Sequence, residues 1–203
     1  MRADASILVL SCSWPPYRDM GRIWWPAFRK FWPDCRYPVS WIECGDSVEP
    51  WYSAVRSALC SVSDAKPALV WVDDFILTAP VDGAEVARCV AEMRELQAVY
   101  YRLQPVPEAK QPFPSNPRAG PLAWDEPYVH SLHLSFWSVE HLDDLMKNET
   151  PATPWDFELA PCSRGPLHVS VTRDNRPISH VEACKKGELT EDGKRLLAEA
   201  ARG

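Results

Sequence analysis

Glycine is scarce in this chain, with eight residues in 203. Phosphate loops and dinucleotide fingerprints need glycines at fixed spacing, so that backbone amides can close on a pyrophosphate. Neither pattern is present, and H-E-x-x-H and G-x-S-x-G are missing too. Zincin, α/β-hydrolase and P-loop readings lose their main support. Clusters of Lys and Arg are also lacking, and the formal net charge is −6. General nucleic-acid or anionic-membrane binding, which neutralises phosphate with such clusters, is therefore not expected. An anionic ligand would need a bound cation or a helix N-terminus. The longest early apolar run, residues 7–10, is far too short for a transmembrane segment or a signal peptide. The seven cysteines are odd in number and show no C-x-x-C spacing. Neither a disulfide framework nor a zinc knuckle is expected, and a reducing, cytoplasmic setting is.

What the chain has in plenty is apolar and aromatic residues, 46% apolar with ten tryptophans, enough for a substantial core. The length suits a single domain, residues 1–203. Residues 6–11 form a short continuous apolar run, the mark of a strand buried on both faces. Trp24, Trp25, Phe28, Phe31 and Trp32 recur at helical spacing up to Pro33. A strand over 39–42 follows, then a helical stripe through Trp51, Ala54, Val55, Ala58, Leu59 and Val62. Residues 68–72 read as another buried strand, and Asp82 with Glu85 resembles a capping box before Val86, Val90 and Met93. A Val/Tyr-rich strand over 98–103 completes a β-α-β-α-β-α-β alternation. That pattern predicts an α/β fold, a mostly parallel sheet flanked by helices.

The second half breaks the rhythm. Residues 104–127 hold seven prolines and read as a long loop without regular structure, of the kind that is often functional. A strand over 130–136 is expected, then a short helix from Ser138. Residues 166–172 alternate apolar with polar and predict a half-buried strand with His168 on its polar face. A final amphipathic helix opens at Thr190.

Two constellations carry chemistry. Asp73-Asp74 ends the apolar run Ala68-Leu69-Val70-Trp71-Val72, at the end of a strand where open parallel sheets bind ligands. Paired carboxylates repel unless a cation lies beside them, and Mg²⁺ or Mn²⁺ suits hard oxygen ligands. The bland alternative is a solvated acidic turn. The second is Thr153-Pro154-Trp155-Asp156-Phe157-Glu158. As a helical turn it puts Trp155 and Glu158 on one face, an aromatic platform beside a carboxylate able to deprotonate a sugar hydroxyl. Here the alternative is a core tryptophan with dipole-favoured acids. Arg102 ends the fourth strand and answers either a phosphate or the acidic pair, unless it is an ordinary surface arginine. Of the five histidines, His180 lies in a late extended segment, His168 on a strand, and His130, His133 and His141 around the strand-helix unit.

Together the early β-α repeat, Val72-Asp73-Asp74-Phe75 and Trp155-Asp156-Phe157-Glu158 resemble a small glycosyltransferase of the GT-A type, similar to compact bacterial or phage sugar transferases of the capsule and lipopolysaccharide type. The resemblance covers nearly the whole chain. It implies a nucleotide-sugar-binding half, residues 1–103, and an acceptor-side half, residues 104–203, whose proline-rich loop forms the acceptor side or a lid. It implies Mn²⁺ or Mg²⁺ held by Asp74, with Asp73 on the ribose or a metal-bound water and His180 completing the shell. Ser11, Cys12, Ser13 and Tyr17 would line the base and ribose pocket. Glu158, or second Asp156, would be the catalytic base, with Trp155 against the acceptor. The partners implied are a nucleoside-diphosphate sugar and an unknown hydroxyl acceptor. The usual acidic motif is Asp-x-Asp, and Val72 departs from it. Two rivals remain on sequence grounds: a nucleotidyltransferase or other metal-dependent nucleotide-sugar enzyme, and a non-catalytic sugar- or partner-binding module.

Overall fold

The computed structural model describes residues 4–12, 15, 17–44, 51–62, 66–125, 128–149, 153–160 and 166–202. The first half alternates much as its apolar spacing predicts. Strand β1 (Ser6–Ser11) leads through a 3₁₀ turn to helix α1 (Gly21–Phe31), then β2 (Val39–Glu43), α2 (Trp51–Leu59) and β3 (Ala68–Val72). After β3 the chain turns at once into β4 (Phe75–Leu77), a strand the sequence did not disclose, then α3 (Gly83–Glu95) and β5 (Tyr100–Arg102). Asp82 caps α3 through the Glu85 amide, 2.9 Å. The Glu85 carboxylate does not close the box; it turns to Arg88 and to Arg118, 2.8 Å away.

The later elements are β6 (Ala119–Pro121), β7 (Ser135–Trp137), α4 (Val139–Glu149), α5 (Pro154–Leu159), β8 (His168–Val171), β9 (His180–Glu182), β10 (Cys184–Lys185), β11 (Glu188–Leu189) and α6 (Glu191–Ala200). Seven strands form one sheet in the order β2-β1-β3-β7-β5-β8-β6. Strands β2, β1, β3, β5 and β8 run one way; β7 and β6 run against them. Strand β4 leaves this sheet to pair with β9 antiparallel, placing Phe75 opposite Glu182 and Leu77 opposite His180.

Period-two alternation explains the continuous apolar runs. Ile7, Val9, Leu69, Trp71, Tyr101 and Phe136 enter one core with Trp24 and Phe28 of α1 and Val86, Val90 and Met93 of α3. Leu8, Leu10, Val70, Tyr100 and Trp137 enter a second with Val55 and Leu59 of α2, Leu142 and Met146 of α4 and Phe157 of α5. A strand covered on both faces has no polar side to show. Tryptophan serves chiefly as packing: Trp24 stacks on Phe28 with ring centroids 4.8 Å apart and meets Trp71 edge-on at 5.2 Å.

Three expectations need correction. Residues 104–127 are not wholly irregular, since β6 pairs with β8 at the sheet edge, a position that tolerates Pro121. The described part is held by Arg118 on Glu85 and by the Arg173 amide on Glu108, 3.0 Å. Strand β8 is buried at all four positions rather than half-buried, because both faces are covered: Val169 and Val171 join the core with α1 and α3, and His168 packs against Tyr100, His130 and His141. The strand expected over 130–136 is confined to Ser135–Trp137, and the residues before it form a loop.

Candidate functional site

Asp73 and Asp74 make the turn between β3 and β4, at the carboxyl end of a central strand. Backbone hydrogen bonds fix it from two sides. The Asp73 amide donates to the Leu10 carbonyl at 3.0 Å, and the Ala183 amide donates to the Asp74 carbonyl at 2.7 Å. From beneath, Trp71 Nε1 donates to the Phe75 carbonyl at 2.9 Å. The pair is not a solvated acidic turn: Asp73 is 2% exposed and Asp74 7%.

Burial of two adjacent carboxylates has an electrostatic consequence. Loss of hydration pushes the Asp73 carboxyl up to about 7, opposed by hydrogen bonding from the Ser11 side chain and the Cys12 backbone. Asp74 is raised well above the ordinary range, first by burial, then by the charges of Asp73, Glu182 and Glu158. Asp73 Oδ2 is buried without a hydrogen-bond partner among the described residues. A buried acceptor left bare is costly. The charge of Glu182 acts on Asp74, yet among the described residues the group whose ligand atoms lie close enough together to share an ion is His130, His141 and His168, not these carboxylates.

The residues expected around the pair fall into place unevenly. Ser11 and Cys12, at the end of β1, meet the Asp73 carboxylate directly. Tyr17 is buried near Asp74; its hydroxyl accepts from the Gly187 amide at 3.3 Å, and burial holds its proton on, helped by Cys184 and Asp74. Ser13 lies outside the described residues. His180 sits on β9 with its ring on Phe75, centroids 4.8 Å apart, and its Nδ1 is buried without a partner among the described residues. Burial, with the charges of Arg176 and His133, pushes it down to about 4, so it is neutral. The sequence reading passed over Glu182, two residues further on the same strand. Its charge is the one from β9 that acts on Asp74. The sequence signal, a carboxylate at i+2 from a singled-out histidine, was present but carried no meaning without the β4–β9 pairing.

Helix α5 resolves the Trp-Asp-Phe-Glu segment. Thr153 is its N-cap and Asp156 closes a capping box: the Asp156 amide donates to Thr153 Oγ1 at 3.1 Å, and the Thr153 amide donates to Asp156 Oδ2 at 2.9 Å. Asp156 is thereby corrected from a second-choice base to a helix cap. The segment is helical, yet Trp155 and Glu158 do not share an environment: Trp155 is 51% exposed and Glu158 6%. Phe157, fully buried, is the core aromatic of this turn. Glu158 Oε1 accepts from Ser131 Oγ at 3.0 Å and the Leu132 amide at 2.9 Å, and lies 3.6 Å from His133 Nε2. Burial lowers the His133 pKa, and Glu158 opposes that shift. His133 packs on Phe75, centroids 4.4 Å apart. Glu158 and the acidic turn are therefore joined through His133, whose ring packs on Phe75.

Arg102 is buried, 1% exposed, and its hydrogen bonds run to the Tyr100 hydroxyl, 2.7 Å, and to the Val106 and Tyr128 carbonyls. It is not an ordinary surface arginine, and these bonds tie two loops to the sheet. A surface concavity between α2 and α4, lined by Cys60, Glu140, Asp143, Asp144 and Lys147 among others, shares no residue with the acidic site; Asp143 there is paired with Arg56 at 2.8 Å. The six described cysteines are free thiols, and among the described residues no helix is long and apolar enough to cross a membrane. Comparison of the chain with protein-family models, curated proteins and solved structures finds no match.

Proposed function

We propose that the protein is a metal-assisted glycosyltransferase that moves a sugar from a nucleoside diphosphate to a hydroxyl acceptor. The observation that carries the reading is the buried Asp73-Asp74 turn at the carboxyl end of β3, with Asp73 Oδ2 unpartnered among the described residues and the charges of Glu182 and Glu158 acting on Asp74. Parallel strands of an α/β sheet place ligands at that end, and a net-negative site can take a diphosphate only through a cation. Bound there, Mn²⁺ or Mg²⁺ would stabilise charge on the leaving diphosphate.

The chain's own groups account for the remainder. The end of β1, Ser11 and Cys12, orients the Asp73 carboxylate and forms one wall of the donor site. Glu158 is anchored through Oε1 to Ser131 and Leu132. Its other oxygen has no hydrogen bond among the described residues, so it is the one to accept a proton from an acceptor hydroxyl. His133, neutral and 3.6 Å from Glu158, takes part in the same hydrogen-bonding region and limits the spread of negative charge. The exposed Trp155 offers a ring to the outer part of an acceptor, away from Glu158.

The test is a panel of nucleotide sugars with and without Mn²⁺, read by nucleotide release and by calorimetry. Mn²⁺-dependent binding of a nucleoside diphosphate, lost in Asp74→Ala, is the expected result. Equal affinity in the presence of chelator would remove the metal role. Tight binding without release or transfer from any donor would leave only a binding module.

A further inference from the structure

On the opposite face of the sheet from the α1 core, three histidines from three separate elements point at one another. His130 comes from the loop before β7, His141 from the first turns of α4, and His168 from the start of β8. One ring nitrogen from each lies within 4.8 Å of the other two. We propose that His130, His141 and His168 form a metal site for a borderline cation, Zn²⁺ foremost, distinct from the acidic centre.

The chemistry of the donor set selects the ion. Three imidazoles without a carboxylate suit Zn²⁺ and its d-block neighbours rather than Mg²⁺, Mn²⁺ or Ca²⁺, which prefer oxygen. Around a tetrahedral Zn²⁺ with Zn–N near 2.0–2.1 Å, ligand nitrogens stand roughly 3.4 Å apart. From a spacing of at most 4.8 Å, the nitrogens would have to approach one another by up to about 1.4 Å. The polar accounting points the same way. His130 is 1% exposed, and neither of its ring nitrogens has a hydrogen-bond partner among the described residues; His141 Nε2 is likewise buried and unpartnered. An unligated imidazole in such surroundings costs free energy that a metal bond offsets.

His168 is oriented as metal-binding histidines usually are. Its Nδ1 lies 3.1 Å from the Pro166 carbonyl. A proton on Nδ1 would satisfy that contact and fix the tautomer and orientation of the ring.

The surroundings are aromatic: the ring of Phe157 stacks on His130 at 5.7 Å, and Trp137 and Tyr100 close against His130 and His168. The ion would clasp the loop bearing His130 to α4 and β8. That same loop supplies Ser131 and Leu132 to Glu158. The inference rests on the histidines alone and stands whether or not the acidic centre binds nucleotides.

The experiment is equilibrium dialysis of chelator-stripped full-length protein against Zn²⁺, with metal analysis, alongside Co²⁺ absorption spectroscopy. One Zn²⁺ per chain and tetrahedral Co²⁺ bands are expected in the wild type and in Asp74→Ala. Both should be lost in His141→Phe, which keeps a ring in the aromatic cluster, with folding checked by circular dichroism. Failure of the wild type to retain Zn²⁺, or undiminished retention in folded His141→Phe, overturns the proposal. Should His141→Phe not fold, X-ray absorption on Zn²⁺-loaded wild type decides. Three imidazoles at about 2.0 Å support the site, and a carboxylate or thiolate shell overturns it.

Discussion

Trp71 Nε1 donates to the Phe75 carbonyl at 2.9 Å, spanning the turn that carries Asp73 and Asp74. The indole is fully buried and packs edge-on against Trp24. A core side chain thus fixes the backbone on which both carboxylates stand. Trp24 is an internal control, since its Nε1 has no partner among the described residues. Trp71→Phe should destabilise by about 1 kcal/mol more than Trp24→Phe, the worth of one buried hydrogen bond. It should also weaken Mn²⁺-dependent nucleotide binding, whereas Trp24→Phe should not. Urea unfolding and calorimetry on the two variants check both statements; equal losses would remove the turn-holding role.

The Asp73 carboxyl is raised from 3.8 to about 7 in the folded protein. Because the folded value lies above the unfolded one, the protonated form is the one that folding favours. The associated stability is full below about pH 4 and is lost as pH rises through about 7. By linkage the loss is of the order of a few kcal/mol. Metal-free protein should therefore unfold at a lower temperature at pH 8 than at pH 5.5, beyond the drift of Asp73→Asn. Asp73→Asn should be the more stable protein at pH 8, while losing the stabilisation that Mn²⁺ gives the wild type. A wild-type melting temperature that rises between pH 5.5 and 8 relative to Asp73→Asn would contradict the sign.

Asp156 and Glu158 stand two residues apart on α5 and should separate cleanly. Removing the N3 arm of the capping box in Asp156→Ala should cost up to about 1 kcal/mol of stability, since the Thr153 cap remains, and leave transfer within a few-fold. Glu158→Gln keeps the acceptor for Ser131 and Leu132 but cannot take a proton. Donor binding should persist and transfer should fall by about two to four orders of magnitude. Unchanged turnover in Glu158→Gln would exclude it as the base, and the sign of this comparison is legible in single-turnover kinetics.

Much of the sheet could be read from residue spacing, and the reason is local. Ile7, Val9, Leu8 and Leu10 alternate between two cores, so β1 shows as an unbroken apolar run. Helices α1 and α2 show because one face of each is buried at helical spacing. Strands β4 and β9 did not show: each has three residues, and their pairing joins positions about a hundred residues apart. Glu182 reaches Asp74 only through that pairing. His168 and Ser170 looked solvent-facing from alternation, yet both are buried, with the rings of His130 and His141 packed against His168 on that face. The capping role of Asp156 is written in Thr153-x-x-Asp156, where one acid suits both a helix start and a carboxylate beside an aromatic ring.

Arg102 gives the last test, because two readings of it differ in what they move. Sequence position at the end of β5 suggested a phosphate contact. Its guanidinium instead bonds the Tyr100 hydroxyl and the Val106 and Tyr128 carbonyls, deep in the protein. Lysine cannot reproduce a planar fork serving three acceptors in different directions. Arg102→Lys should therefore destabilise by about 2–4 kcal/mol, with each lost bond to the charged group worth roughly 1.5–3 kcal/mol before rearrangement. Hydrogen exchange should speed up around Val106 and Tyr128, the two loops it joins. At a temperature where the variant is still folded, nucleoside-diphosphate affinity should match the wild type. A variant of unchanged stability with weakened diphosphate binding would return Arg102 to the donor site. A destabilised variant with intact binding would fix it as the rivet between the proline-rich segment and the loop that carries His130 and Ser131.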